Sequence, residues 1–173
     1  MPESDSDPWL SPEQMRAWLP LGAVIMALPA ALDAQLKRDG GLNLFEYLIL
    51  AGLSEAPNRS LATSSLSAFT QGSLSRLSHA ITRLSKAGWV ERRPGVGGPR
   101  HTVVTLTPAG WRHVKKVAPG HAREVKRLVF ESLPPEQVRS LSVSMSVIAA
   151  ALDPHLAAEL AQRQHAVMPA HRL

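Results

Sequence analysis

The sequence predicts a mainly α-helical fold with one small β-hairpin wing: a winged helix-turn-helix framed by N- and C-terminal dimerisation helices. Three observations predict it. Residues 73–86 carry Leu74, Leu77, Ile81 and Leu84 at steps of three and four, which draws one apolar stripe along a helix. Two β-prone runs, 89–93 and 101–107, follow directly around a Gly/Pro-rich loop and read as a hairpin. Two narrow heptad-like seams, 18–32 and 138–152, stand near the ends of the chain.

In order, residues 1–10 are polar with two prolines and read as a flexible tail. Ser11 is an N-cap with Pro12 in the first helical position. Trp18, Leu21, Ile25, Leu28 and Leu32 form the seam of the helix that follows; Pro20 and Pro29 lie off it and predict a bend or an interruption. Asp39-Gly40-Gly41 ends this N-terminal dimerisation helix, residues 11–41. Asn43 and Glu46 make a capping pattern for a second helix whose buried face is Phe45, Leu48, Ile49 and Leu53. Pro57-Asn58-Arg59 is a turn. A short helix from about residue 63 to 69 turns Leu66 and Phe69 inward, and Thr70-Gln71-Gly72 joins it tightly to the Ser73 helix. Ala87-Gly88 closes that helix, and the hairpin completes a winged helix-turn-helix over residues 42–107. Thr107-Pro108 starts a helix to about residue 130, with Val114, Val117, Val125, Leu128 and Val129 on its apolar face and a kink at Pro119-Gly120. Pro134-Pro135-Glu136 starts the last seam helix, with Val138, Leu141, Met145, Ile148 and Leu152 along its seam, and Pro154 stops or breaks it. Residues 108–153 are the C-terminal dimerisation helices and 154–173 a tail.

Composition narrows the function. The absence of cysteine excludes a disulfide scaffold, a thiolate zinc site and a thiol redox sensor. The best candidate for a membrane span, residues 18–36, contains two prolines, Asp33 and Gln35, and residues 1–10 are acidic and unlike a secretory signal. A cytoplasmic protein without membrane contact is expected. The net charge of +5 is unevenly distributed: residues 1–56 carry −5, residues 57–116 carry +9 with Glu91 as the lone acid, and residues 117–173 carry +1. A basic block between acidic and near-neutral flanks points to a local polyanion site.

The outer face of the 73–86 helix sharpens this. Ser75, Arg76, His79, Thr82, Arg83 and Lys86 fall off the apolar stripe with no acid among them, which suits phosphates and base edges of double-stranded DNA. A solvated basic face is the plainer alternative, and the adjoining basic hairpin outweighs it. Ser73 and Ser75 can cap the helix and donate to phosphates together. Arg76 lies nearer the helix N-terminus and so nearer the bases. Few acids lie near Arg83 in sequence, so DNA contact is expected there too. The hairpin adds Arg92, Arg93 and Arg100, the last at the wing tip where a minor-groove or phosphate contact is expected.

Together, Leu77-Ser-His-Ala-Ile-Thr-Arg-Leu84, Gly88-Trp-Val-Glu-Arg92, Arg100 and Val104-Thr-Leu-Thr-Pro-Ala-Gly110 resemble the MarR family of bacterial transcriptional regulators, over roughly residues 11–152. The resemblance implies a homodimer with interlocked terminal helices and two winged helices on a pseudo-palindromic operator, most often as a repressor. It also implies a small aromatic effector in the crevice between dimer helices and winged helix, where Trp18, Phe45, Tyr47, Trp111 and His113 are the candidates; core packing explains the same residues. One departure stands out: the family's wing usually reads Asp-x-Arg, and Gly98-Pro99-Arg100 occupies that place.

Other classes fare worse. His113, His121, His155, His165 and His171 lack metal-ligand spacing, and the 95–98 glycine run lacks a phosphate-loop ending, so no metal or cofactor is expected. No nucleophile-base-acid set suggests an enzyme. A winged helix serving as a protein-interaction module is the alternative, and the central charge block argues against it.

Overall fold

In the computed structural model, which describes residues 8–95 and 102–167 with side chains to residue 161, side-chain caps set the helix starts. Ser11 and Gln14 exchange hydrogen bonds at 2.8 and 3.1 Å to open α1 (Pro12–Gly40). Asn43 and Glu46 do the same at 2.8 and 2.9 Å for α2 (Leu44–Glu55). A single turn at Pro57–Arg59 leads into β1 (Ser60–Ala62), then α3 (Thr63–Thr70), α4 (Leu74–Lys86) and the hairpin β2 (Val90–Pro94) and β3 (Thr102–Leu106). The chain continues as α5 (Pro108–Val125), a π turn (Lys126–Phe130), α6 (Pro135–Leu152) and α7 (Pro154–Val167).

The hairpin is part of a three-stranded antiparallel sheet in the order β1-β3-β2. Val90 pairs with Leu106 and Pro94 with Thr102 on one side, and Ser60 with Thr105 on the other. The third strand was not anticipated. It is three residues long, and side chains reinforce it: Ser60 Oγ lies 2.9 Å from Thr105 Oγ1, and Thr63 Oγ1 donates to the Thr102 carbonyl at 2.9 Å.

The prolines do not interrupt their helices. Pro20 and Pro29 sit inside an uninterrupted α1, and α5 runs through Pro119. The irregular turn comes later, at the π turn. Because its prolines do not divide it, α1 is long and apolar enough by length and composition to cross a membrane. Its C-terminal half nonetheless packs into the core through Leu32 and Leu36. Pro154 does end α6, but it also opens α7 in the stretch read as a tail: Asp153 accepts the His155 N–H at 2.8 Å, and proline fits a first helical position.

One core joins α1, α2, α4, the sheet and α5 through Leu36, Ile49, Leu53, Leu77, Ile81, Leu84, Val104, Val114 and Val117. The start of α5 is pressed against the start of β2. Thr107 caps α5 by accepting the Gly110 N–H at 3.0 Å, and its hydroxyl donates to the Gly88 carbonyl at 2.7 Å. Residue 110 must be glycine, because a Cβ there would collide with the Trp89 backbone carbonyl. That obstacle is backbone, which cannot swing aside. Gly110→Ala should therefore lower unfolding free energy by about 2–3 kcal/mol, measured by urea denaturation with an unchanged slope. A neutral result would show that the two elements are not in this contact.

Candidate nucleic-acid interface

The position of α4 follows from its apolar stripe. Leu77, Ala80, Ile81 and Leu84 are all buried, which turns Ser75, Ser78, His79, Thr82 and Lys86 outward. Leu74 departs from the expected stripe: it is 64% exposed. It stands in the first turn, ahead of the point where the helix meets the core, and Ala80 takes the inward place instead. Ser73 is the N-cap, its Oγ accepting the Arg76 N–H at 3.3 Å.

Most of the expected cations are held by a neighbour. The Arg76 guanidinium lies 4.2 Å from the centroid of the Phe45 ring. Arg83 Nε is 2.7 Å from Glu46 Oε1, so the acid that sequence proximity did not reveal comes from α2. Arg92 donates from Nη2 to the Ser78 carbonyl at 2.9 Å and to Thr82 Oγ1 at 3.0 Å, which ties the wing strand to the middle of α4. Arg93 pairs with Glu91 at 2.9 Å on the exposed strand. Lys86 lines the cleft between α4 and β2 beside Thr82 and Arg92. Arg100 lies outside the described residues, as do Gly98 and Pro99. Sequence reasoning overlooked Ser78 and the second role of Glu46, and neither left a local trace in the sequence.

The five effector candidates do not converge. Trp18 is exposed on the first half of α1. Phe45 lies under Arg76, while Trp111 lies under Arg59, 4.3 Å from the ring centroid. His113 stacks on Trp89 at 3.9 Å and donates from Nε2 to the Gly40 carbonyl at 2.9 Å. Tyr47 packs against His121, ring centroids 4.4 Å apart. Among the described residues no three His, Asp or Glu side chains gather in a way that could hold a metal.

Two predictions follow from these contacts. Arg92→Ala removes hydrogen bonds that join β2 to α4 and should destabilise the DNA-free protein by about 0.5–1.5 kcal/mol. Amide exchange should quicken in β2; unchanged exchange there would mean that the tether is not formed in solution. His121 is set between Tyr47 and Gln35, its Nδ1 donating to Gln35 Oε1 at 3.3 Å, and burial pushes its imidazole below the ordinary 6.5. The unfolded imidazole then takes up its proton first as pH falls below 6.5. Stability is complete above that point and declines below it until the folded imidazole also titrates. His121→Phe should flatten this part of the pH profile in urea unfolding at about pH 7.5, 6.5 and 5.5.

A helix-turn-helix whose second helix shows an acid-free outer face, braced by a basic hairpin, defines a winged-helix DNA-binding transcriptional regulator. Comparison with protein-family sequence models gives no match, nor does comparison with curated protein sequences. Solved structures do match. Sco3205, a MarR family transcriptional regulator from Streptomyces coelicolor determined in complex with DNA, is 36% identical, with a TM-score of 0.82 over 87% of this chain and 94% of that one. AbsC, a MarR family regulator from the same organism, is 34% identical, with a TM-score of 0.79 over 84% of this chain and 98% of that one. CouR from Rhodococcus jostii RHA1, bound to p-coumaroyl-CoA, shares the fold at 19% identity, with a TM-score of 0.65 over 76% of this chain and 90% of that one. The chain belongs to the MarR family of transcriptional regulators.

Proposed function

We propose that two copies of the chain pair through α1 and α6, set their α4 helices in successive major grooves of a pseudo-palindromic operator, and repress transcription in the cytoplasm without membrane contact. The observation that carries the DNA reading is α4 itself: its apolar face is packed in the core while Ser75, His79, Thr82 and Lys86 are exposed and no acid interrupts them. The DNA complex of Sco3205 supports it. Ser73, Ser75, Arg83 and Lys86 serve phosphates in this reading, with Arg93 and Arg100 added by the wing; Arg76, His79 and Thr82 are nearest the base edges, and Arg92 braces the wing.

Pairing is supported by apolar side chains that the monomer leaves in water. Trp18 and Ile25 on the α1 seam, and Met145, Ile148 and Leu152 on the α6 seam, are all exposed, Leu152 to 76%. A second copy would cover both seams by a two-fold arrangement. The same exposure accounts for the apolar length of α1 without a membrane.

An effector reading also has a specific support. A groove of about 330 Å³ runs between α1, α2 and α4, with Pro29, Asp33, Leu48, Phe45 and Arg76 on its walls. An aromatic acid seated there would compete with the Phe45 ring for Arg76. Arg76→Ala should abolish release of DNA by any such acid that releases the wild type.

For the main reading, sedimentation should show a dimer at micromolar concentration, and Ile25→Glu together with Ile148→Glu should shift it to monomer. Selection from a random-sequence duplex library should enrich an inverted repeat with half-sites about 10 bp apart, bound less tightly as salt rises. A stable wild-type monomer, or an enriched site without two-fold symmetry, would contradict the proposal.

A further inference from the structure

Phe45 and Glu46, neighbours near the start of α2, grip two arginines on one flank of α4. Arg76 and Arg83 are seven residues apart and so lie two turns apart on the same side. Glu46 is buried and divides its two oxygens: Oε2 accepts the Asn43 N–H at 2.9 Å, and Oε1 meets Arg83 Nε at 2.7 Å. The Arg83 side chain remains 62% exposed. The edge that faces Glu46 is the Nε edge, which leaves the terminal nitrogens to a second acceptor.

We propose that Glu46 is a positioning residue for DNA recognition: it holds the Nε edge of Arg83 so that the terminal nitrogens are aimed at an operator phosphate. This rests on the reading of α4 as the helix placed on DNA. A buried carboxylate is costly without a partner, so Glu46 keeps Arg83 in place before DNA arrives. Guanidinium is suited to this task because it is planar and offers separate donor edges; an ammonium is a single point of charge. An arginine already fixed loses less rotamer freedom on docking. Phosphate contacts set the register of a recognition helix. A fixed contact therefore favours the one docking geometry used on the operator over the many loose geometries available on unrelated duplex.

The probe is the duplex that the wild-type protein enriches from a random-sequence library, beside a scrambled duplex of equal length. Failure to enrich any duplex overturns the DNA reading and this proposal with it. Given an enriched duplex, the variants test Glu46 alone. Glutamine has one carbonyl oxygen where Glu46 uses two, so it can cap α2 or hold Arg83 but not both. Glu46→Gln should raise Kd for the enriched duplex about tenfold and for the scrambled duplex no more than about twofold. Arg83→Lys, which keeps the charge and loses the second edge, should give a similar loss. Glu46→Gln combined with Arg83→Ala should bind no more weakly than Arg83→Ala alone. Three results would each overturn the proposal: tighter binding by Glu46→Gln, which would make the acid merely repulsive; an equal loss from Glu46→Gln with and without Arg83, which would make it a fold effect; or wild-type binding by Arg83→Lys. If Glu46→Gln does not fold, Arg83→Lys on the exposed side of the pair decides the matter.

Discussion

Burial of Leu77, Ala80, Ile81 and Leu84 is the constraint on which the rest of the molecule depends. A 13-residue helix is marginal by itself in water. Each buried leucine or isoleucine contributes roughly 1.5–3 kcal/mol against exposure, so packing against α2, α3 and β2 both forms α4 and fixes its rotation. Once that strip is inward, Ser75, His79, Thr82 and Lys86 have only the outside left to them. The polar face is thus placed by the core behind it, and a sequence free to vary outside could alter its chemistry without altering its aim.

The cations around that face do more for geometry than for stability. Exposed pairs such as Arg93 with Glu91 contribute little in water, because solvent screens them and both side chains lose freedom. Glu46 differs because it is buried and bonded through both oxygens. Arg92 differs again, since its main acceptor is the Ser78 backbone carbonyl, which cannot move independently of the helix. Helix α4 is consequently held along one flank by α2 and along another by the wing strand.

How much of this was legible in the sequence depends on distance along the chain. The caps at Ser11, Asn43, Ser73 and Thr107 act over three residues, so their patterns are readable directly. The hairpin is also local. Strand β1 was not legible, because three residues carry no periodicity and their partners Val103, Val104 and Thr105 lie far along the chain. The Glu46–Arg83 and Arg76–Phe45 contacts join separate helices, and no local signal marks them. Leu74 was misjudged because spacing defines a face but not where that face begins to touch the core. The prolines leave their helices continuous for a physical reason: each removes a single backbone donor, and a long helix tolerates that loss.

The unbroken course of α1 has a mechanical meaning. Its 29 residues make a rod about 44 Å long at 1.5 Å per residue. One end is anchored: Leu32 and Leu36 are in the core, and Asp33 Oδ1 accepts the Leu44 N–H at 2.6 Å, at the very start of the helix that grips α4. The other end projects from the core with its apolar side chains uncovered. Such a rod is a lever: the arm from Asp33 to Pro12 is about 32 Å long, and a tilt of about 5° about Asp33 carries the free end through about 3 Å. The angle at which anything seizes the free end is therefore magnified along the rod, and the carboxylate of Asp33 sits at its fulcrum.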